Sequence, residues 1–184
     1  MNSKVKEFLK GAIEMALVVV VTYVVFTYII KPAKIQGSSM MSTLRNNDMV
    51  LVDVIGLKQN GVDRFDVVIV ESPRLSEAII KRVIGLPNET IEYKQDQLYV
   101  NGVLIKENFL DKNFIKESKE NYNVPYFTND FKITLGEGEY FVLGDNRLNS
   151  KDSRVFGTFK LNEFTGKNGY VIYPLDNFGW INQK

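Results

Sequence analysis

The sequence contains no cysteine and no histidine among its 184 residues. Without cysteine there can be no disulfide, no thiol nucleophile and no cysteine-rich zinc site. Without histidine, a Ser-His-Asp triad and a His-ligated metal are also excluded. A hydrolase with this composition must use carboxylates alone or a hydroxyl group activated by lysine, and Ser-Lys pairs are a known variant of the triad.

Strong net charge is also missing, because the formal charge at pH 7 is only +1. No stripe of Lys and Arg alternates with aromatic residues, so nothing indicates a nucleic-acid partner. Apolar residues make up 45% of the chain and charged residues 24%, which is ordinary for a globular protein. The length is enough for one compact domain with room for a small second lobe.

One long apolar run, ALVVVVTYVVFTYII, occupies residues 16 to 30. Extending it back to Ala12 includes Glu14 and brings it near the ~20 residues that cross a bilayer. A cleaved signal peptide is a competing interpretation, but the following KPAKIQG lacks an obvious small-x-small cleavage site. A buried strand is a third interpretation, which the length disfavours. We expect a short tail at residues 1–10 and a transmembrane anchor at residues 11–30.

Lysines lie on both sides of this run, so the positive-inside rule hardly decides its orientation. Most of the chain follows the anchor, and we expect one β domain over residues 31–184. Its predicted strands are short and rich in β-branched and aromatic residues: MVLVDVI, DVVIV, AIIKRVIGL, TIEYKQDQLYVNGVLI, EYFVLG and GYVIYPL. Asn101-Gly102 is a strong signal for a two-residue hairpin.

No segment after residue 31 has a sustained helical period of apolar residues. Residues 106 to 134 are polar and irregular, and we expect a small, partly ordered lobe inserted at about residues 90–134. The expected fold is therefore mainly β, an antiparallel sheet or partial barrel behind one N-terminal transmembrane helix.

The first stretch that could carry chemistry is GSSMMSTL, residues 37 to 44. A serine hydroxyl needs a base within hydrogen-bond reach to become a nucleophile. The glycine permits close approach of the backbone, and adjacent N–H groups could face an oxyanion. Alone, such a stretch is usually no more than a loop.

The second stretch is AIIKRVIGLP, residues 78 to 87. On a strand, Lys81 shares one face with Ile79 and Val83, and Arg82 lies on the other. Burial among apolar neighbours would lower the pKa of Lys81 toward the range of a general base. The alternative is an edge strand on which Lys81 and Arg82 are solvated.

The third stretch is FVLGDNRLNSKDSR, residues 141 to 154. It alternates charges and hydroxyls directly after an apolar strand. It is either a surface loop with weak ion pairs or a polar network that supports an active site. In the second case Ser150 would hold the lysine amine, while Asp152 and Arg154 would fix the loop.

Together these stretches resemble the conserved boxes of the type I (Ser/Lys) bacterial signal peptidases. GSSMMSTL is similar to the box G-x-S-M-x-P-T-L, and RFDVVIV to R-G-D-[IV]-V-V-F. IIKRVIGLPNE resembles the lysine box, and GDNRLNSKDSR matches G-D-N-R-x-x-S-x-D-S-R at every fixed position. The boxes occur in the family's order, and the short chain with a single span resembles the Gram-positive members.

The resemblance implies that Ser39 is the nucleophile and Lys81 the general base. The Ser39 N–H would contribute to the oxyanion hole, and the position that supplies a hydroxyl in some relatives is Gly37 here. The resemblance assigns the following residues to the surrounding site: Gly37, Ser38, Ser150, Asp145, Arg147, Asp152 and Arg154.

The implied reaction is removal of signal peptides from secreted preproteins on the extracytoplasmic side of the cell membrane, without metal or cofactor. Substrates would carry small residues at the first and third positions before the cut, and could add as a strand beside residues 78 to 84. Shallow pockets would be shaped by five apolar residues: Ile35, Met40, Leu44, Ile79 and Ile80. The expected partners are preproteins and membrane lipid.

The sequence departs from the family pattern in three of these boxes. Ser42 replaces the proline of the first box, Phe65 replaces the glycine of R-G-D, and Asn88-Glu89 replaces the Gly-Asp after the lysine box. The Ser42 and Phe65 departures favour one alternative, a non-catalytic or narrowly dedicated assembly factor, such as one for surface fibres. Two further alternatives are a self-cleaving repressor-type peptidase, which the apolar N-terminal run disfavours, and an anchored β domain that binds ligands and leaves Lys81 protonated.

Overall fold

The computed structural model describes residues 3–181, without the side chains of Ser3, Thr27 and Tyr28. Residues 1–2 and 182–184, at the ends of the predicted tail and domain, lie outside the described residues.

The chain begins with helix α1 (Ser3–Val24), followed by a π-helical turn (Val25–Ile29). Most of its large apolar side chains are exposed, with Phe8 at 75% and Ile13 at 68%. Across residues 3–181, no helix has both the length and the apolar character needed for a membrane crossing. The transmembrane helix therefore stays a prediction.

The main sheet is antiparallel and confirms the predicted β fold. Its strands occur in the order β1-β2-β10-β3-β4-β9, and β11 pairs with β10. The strands are β1 (Ile30–Lys34), β2 (Met49–Asp53), β3 (Val67–Val70), β4 (Ile79–Gly85), β9 (Phe141–Leu143), β10 (Phe164–Tyr173) and β11 (Gly179–Trp180). Two short helices lie beside it, α2 (Ile55–Asn60) and α4 (Ser153–Phe156).

A second antiparallel sheet has the order β7-β6-β5-β8. Its strands are β5 (Thr90–Lys94), β6 (Gln97–Val100), β7 (Val103–Ile105) and β8 (Phe131–Thr134). Asn101 and Gly102 join β6 to β7 with φ angles of 51° and 81°. These positive angles are typical of a type I′ turn, so the predicted hairpin is confirmed.

Helix α3 (Lys112–Tyr122) lies in the lobe that we expected to be partly ordered, and it is a helix that the sequence analysis did not predict. The Asp111 carboxylate caps its N-terminus by accepting a 2.7 Å hydrogen bond from the Phe114 N–H, and Asn123 ends it with a φ of 50°. The helix is polar, so its apolar period is weak. The two cap residues were its sequence signal.

Strand β4 lies between β3 and β9, inside the main sheet. The alternative in which Lys81 and Arg82 are solvated on an edge strand is wrong, because both side chains are buried. Lys81 and Arg82 point to opposite faces of this strand, yet they are only 3% and 1% exposed. Two adjacent buried cations require partners on both faces of the sheet.

Candidate active site

Ser39 lies in the loop that connects β1 to β2. Gly37 has a φ of 84°, and no atom lies within 4 Å of the position that a Cβ would occupy. Its N–H donates to the Asn46 side chain at 2.9 Å. Met40 and Leu44, 2% and 0% exposed, hold the loop on the core. The loop also contains a cis peptide bond between Met41 and Ser42.

The Lys81 amine is in direct contact with Ser39. Its Nζ donates to Ser39 Oγ at 2.8 Å and to the Ile80 carbonyl oxygen at 2.8 Å. The two residues are 42 positions apart in the chain and meet because β4 passes beneath the β1–β2 loop. This distance is short enough for proton transfer between the hydroxyl and a neutral amine.

Burial lowers the pKa of Lys81 from 10.5 to about 8. The carboxylates of Asp152 and Asp145 act in the opposite direction by favouring the ammonium form. Desolvation outweighs them, so about one-tenth of the amine is neutral at pH 7 and about half at pH 8. The site therefore has a base that is available near neutral pH.

Arg82 joins the opposite face of β4 to the loop after β9. Its guanidinium donates to both oxygens of Asp145, at 2.9 and 2.7 Å. Thr43 lies in the β1–β2 loop that carries Ser39, called the serine loop below, and donates its hydroxyl to the same carboxylate. A third arginine N–H binds the Phe65 carbonyl oxygen at 2.8 Å. All charges of this buried group are paired, as burial requires.

Asp152 organises the end of the same loop. Its carboxylate accepts two hydrogen bonds of 2.8 Å from the Arg154 guanidinium and one of 3.0 Å from the Gly144 N–H. Burial alone would raise the pKa of Asp152, but the hydrogen bonds and charge of Arg154 lower it below the ordinary value. Asp152 therefore stays ionised and also caps helix α4.

Two asparagines that the sequence analysis did not single out hold the serine loop directly. The Asn146 N–H donates to the Ser39 carbonyl oxygen at 3.0 Å, and its amide group donates to the Ser38 carbonyl oxygen at 3.2 Å. Asn149 donates to the Ser38 hydroxyl at 3.0 Å. Both lie within GDNRLNSKDSR, so their place beside Asp145 in that box was the available signal.

Ser150 does not make the expected hydrogen bond to the lysine amine. Its hydroxyl is buried, and among residues 3–181 it has no partner with hydrogen-bond geometry, although its proximity helps to lower the pKa of Asp152. The side chain packs against Gly144. A Cβ atom on Gly144 would lie 2.6 Å from the Ser150 Cβ and 2.5 Å from the Ser39 carbonyl oxygen.

Arg147 points away from the dyad, into the second sheet. It has 2% of its surface exposed and donates to the Gly144 carbonyl oxygen at 3.0 Å. Its other N–H groups bind Glu107 at 2.6 Å and the Tyr93 hydroxyl at 2.7 Å. Glu107 and Tyr93 were not predicted, and no local pattern connects them to the loop after β9.

The five apolar residues predicted to shape pockets divide into two groups. Ile79 and Ile80 are half-buried at the start of β4. Ile35, Met40 and Leu44 belong to the core under the serine loop, and the fully buried Leu44 supports that loop from below. Within the described part of the chain, no group of three or more acidic residues could hold a metal ion.

Comparison with known proteins confirms the resemblance in the sequence. The family model described as "Signal peptidase, peptidase S26" matches residues 6–173. Signal peptidase IB of Staphylococcus aureus is 36% identical over 180 residues, covering 94% of this chain and 93% of the relative. Signal peptidase I U of Bacillus subtilis is 38% identical over 154 residues, covering 83% of this chain and 79% of the relative.

Among solved structures, the crystal structure of a signal peptidase I from Enterococcus faecalis is 41% identical, with a TM-score of 0.49. The match covers 57% of this chain and 94% of that chain. The sequence relationship extends over nearly the whole chain and does not depend on one motif. The chain therefore belongs to the type I signal peptidases of peptidase family S26.

Proposed function

We propose that Ser39 and Lys81 form the catalytic dyad with which this serine protease removes signal peptides from preproteins. The observation that supports the proposal is the 2.8 Å contact between the buried Lys81 amine and Ser39 Oγ. A protonated amine at this site could not accept a proton, so the lowered pKa of Lys81 supports it as well.

In the proposed first step, Ser39 Oγ attacks the scissile carbonyl carbon and its proton passes to Lys81 Nζ. The C–N bond then breaks, the ammonium returns the proton to the leaving amine, and an acyl-enzyme remains on Ser39. Neutral Lys81 takes a proton from water, which attacks the ester, and the proton returns to Ser39 Oγ as the signal peptide leaves.

The negative oxygen of each tetrahedral intermediate would accept a hydrogen bond from the Ser39 N–H. Gly37, two residues before Ser39, leaves open space where its Cβ would be. Asn149 and Asn146 hold Ser38 in place. Asp145, Arg147, Asp152, Arg154 and Ser150 would keep the loop after β9 against the dyad, as positioning residues without contact to substrate.

An extended substrate would bind along the start of β4. Strand β9 pairs with β4 at Arg82, Val83 and Gly85, so the strand pairings described leave residues 79–81 open on that side. Main-chain hydrogen bonds there would align the scissile bond, and Ile79 and Ile80 would favour small side chains before the cut.

We also propose that residues 11–30 anchor the enzyme in the membrane, with the peptidase domain on the extracytoplasmic side. The apolar side chains of α1, such as Leu17 and Val18, are more than 60% exposed, and lipid would remove them from water. Vesicle flotation tests this: the protein should float with vesicles, and a Leu17→Lys, Val21→Lys double variant should float less. Equal flotation of both proteins would contradict the anchor.

The dyad is tested by cleavage of a preprotein and of a peptide with Ala at the first and third positions before the cut. Ser39→Ala and Lys81→Met should each lower kcat at least about a thousandfold. Ser42→Ala, in the same loop, and Lys151→Met, an exposed lysine, are matched controls that should stay near the parent rate. Full activity of either dyad variant would refute the assignment, and an inactive parent protein would favour the non-catalytic assembly factor.

A further inference from the structure

We propose that Glu107, in the segment after β7, is a positioning residue for catalysis. Through Arg147 it connects the second sheet to the loop that holds the Ser39 backbone. The inference rests on the proposed Ser39–Lys81 dyad but concerns a residue that lies outside it and outside the main sheet.

Glu107, Arg147 and Tyr93 form a closed triangle of hydrogen bonds in the protein interior. Arg147 donates to Glu107 at 2.6 Å and to the Tyr93 hydroxyl at 2.7 Å, and that hydroxyl donates to Glu107 at 2.7 Å. The Arg147 and Glu107 side chains are 0% and 8% exposed, and Tyr93 is 1% exposed. With its pKa raised well above the ordinary value by burial, Tyr93 keeps its proton and remains a donor.

The same arginine reaches the active-site loop with its Nε–H. Arg147 Nε donates to the Gly144 carbonyl oxygen at 3.0 Å. Gly144 in turn packs directly against the Ser39 backbone. Asn146, the residue before Arg147, donates its N–H to the Ser39 carbonyl oxygen at 3.0 Å. Glu107 is therefore connected to the Ser39 backbone through three successive contacts: with Arg147, from Arg147 to Gly144, and from Gly144 to Ser39.

The alternative to a positioning role is simple stabilisation of the fold by a buried ion pair. The two roles predict different results because a positioning residue affects the reacting geometry in molecules that are fully folded. Glu107 is the anionic partner of Arg147, while Tyr93 and Thr128 contribute neutral oxygens. Without Glu107, the guanidinium loses the carboxylate that is hydrogen-bonded to it and fixes its orientation, and the contact with Gly144 loosens.

The experiment compares Glu107→Ala, Glu107→Gln and the control Glu92→Ala, using the peptide with Ala at the first and third positions. Glu92 lies in β5, next to Tyr93, and forms a surface ion pair with Lys132 at 3.0 Å. Rates are taken per folded molecule, below the melting temperature, with folding followed by circular dichroism. We expect kcat of Glu107→Ala to fall roughly tenfold to a hundredfold with KM within about twofold, because small displacements of reacting groups reduce rate more than binding.

Glu107→Gln keeps an oxygen that both donors can reach, so it should recover most of the parent kcat. Glu92→Ala should match the parent. If kcat per folded molecule is equal in Glu107→Ala and Glu92→Ala, the proposal is wrong and Glu107 is structural only. A parallel change of kcat and KM, or no recovery with glutamine, also contradicts it.

Should Glu107→Ala fail to fold, Glu107→Asp provides the test, since it keeps a carboxylate but withdraws it by one methylene group from the Arg147 guanidinium that it now contacts at 2.6 Å. A lower kcat at unchanged KM supports the proposal, and an unchanged kcat overturns it. These outcomes are separate from failure of the dyad, which would appear as full activity of Ser39→Ala.

Discussion

Lys81 combines two conditions that are difficult to meet together. As the proposed base, it must be buried to lose its proton near neutral pH, and it must still reach the Ser39 hydroxyl. Its position in β4 meets the first condition, because only 3% of its surface is exposed. It meets the second because its Nζ lies 2.8 Å from Ser39 Oγ. The carboxylates of Asp152 and Asp145 nearby favour the charged form of Lys81 and keep its pKa from falling further.

The pKa of about 8 for Lys81 predicts the pH dependence of cleavage. The base acts when it is neutral, so kcat/KM should rise roughly tenfold per pH unit below 8 and level off above it. The profile is measured with the peptide substrate from pH 6 to 10, with folding checked at each pH. A rise centred near 10.5, the value of an exposed lysine, would contradict a desolvated base.

Gly144 is needed because there is no space for a side chain beside the nucleophile. A Cβ atom would lie 2.5 Å from the Ser39 carbonyl oxygen, which is backbone and cannot easily move. We expect Gly144→Ala to reduce kcat by about a hundredfold by shifting Ser39 away from Lys81.

The control for Gly144→Ala is Gly11→Ala, where nothing lies within 4 Å of the added methyl group. It should leave both kcat and the melting temperature close to those of the parent. An active Gly144→Ala protein would mean that the serine loop adapts to the added carbon.

At the scale of elements, the turn before β3 is built around a residue in an unusual conformation. Phe65 has a φ of 73° at the position where the family has glycine, and the left-handed region costs an L-residue about 1–2 kcal/mol. Its ring packs 5.0 Å from the ring of Phe109, over which the Arg82 guanidinium also lies at 4.0 Å. These contacts offset the conformational cost, so a large side chain is tolerated there.

This account predicts an inverted order of stability at position 65. Both Phe65→Ala and Phe65→Gly lose the ring, but only alanine keeps the left-handed cost, so the glycine variant should be more stable by about 1 kcal/mol. At Lys94, an exposed position in β5, alanine should instead be more stable than glycine by roughly 0.5–1 kcal/mol. Urea unfolding measures both pairs, and the same order at both positions would refute the explanation.

At the scale of the whole molecule, the site exists only where three segments meet: the β1–β2 loop, β4 and the loop after β9. The buried pair between Arg82 and Asp145 joins the last two, and Thr43 adds the first. Asp145 has no exposed surface. Removing its carboxylate would leave a buried guanidinium without a counter-charge.

Asp145→Ala should therefore lower the free energy of unfolding by about 3–5 kcal/mol. Asp176→Ala breaks a surface ion pair with Arg45, in which the Arg45 side chain is 58% and the Asp176 side chain 70% exposed. It should lower the free energy of unfolding by at most about 1 kcal/mol. Chemical denaturation of both variants checks the difference. Equal losses would mean that the buried pair contributes no more than the surface pair does.

Much of the fold could be predicted from local patterns. The β-branched runs predicted the strands, and Asn101-Gly102 predicted the hairpin, because strand alternation and positive φ angles depend on neighbouring residues alone. Helix α3 was missed because its apolar face is small. The burial of both Lys81 and Arg82 was also undecided, since whether a strand is internal depends on partners elsewhere in the chain.

What the sequence alone determined is the chemistry that is available and the family that uses it. The absence of histidine and cysteine left carboxylates alone or a hydroxyl activated by lysine, and the boxes around Ser39, Lys81 and Asp152 predicted which residues would act. Tertiary structure alone decided the partners of Arg147: Glu107 lies 40 positions away and Tyr93 lies 54. Contacts between distant segments follow from how two sheets pack, and no local sequence pattern indicates that packing.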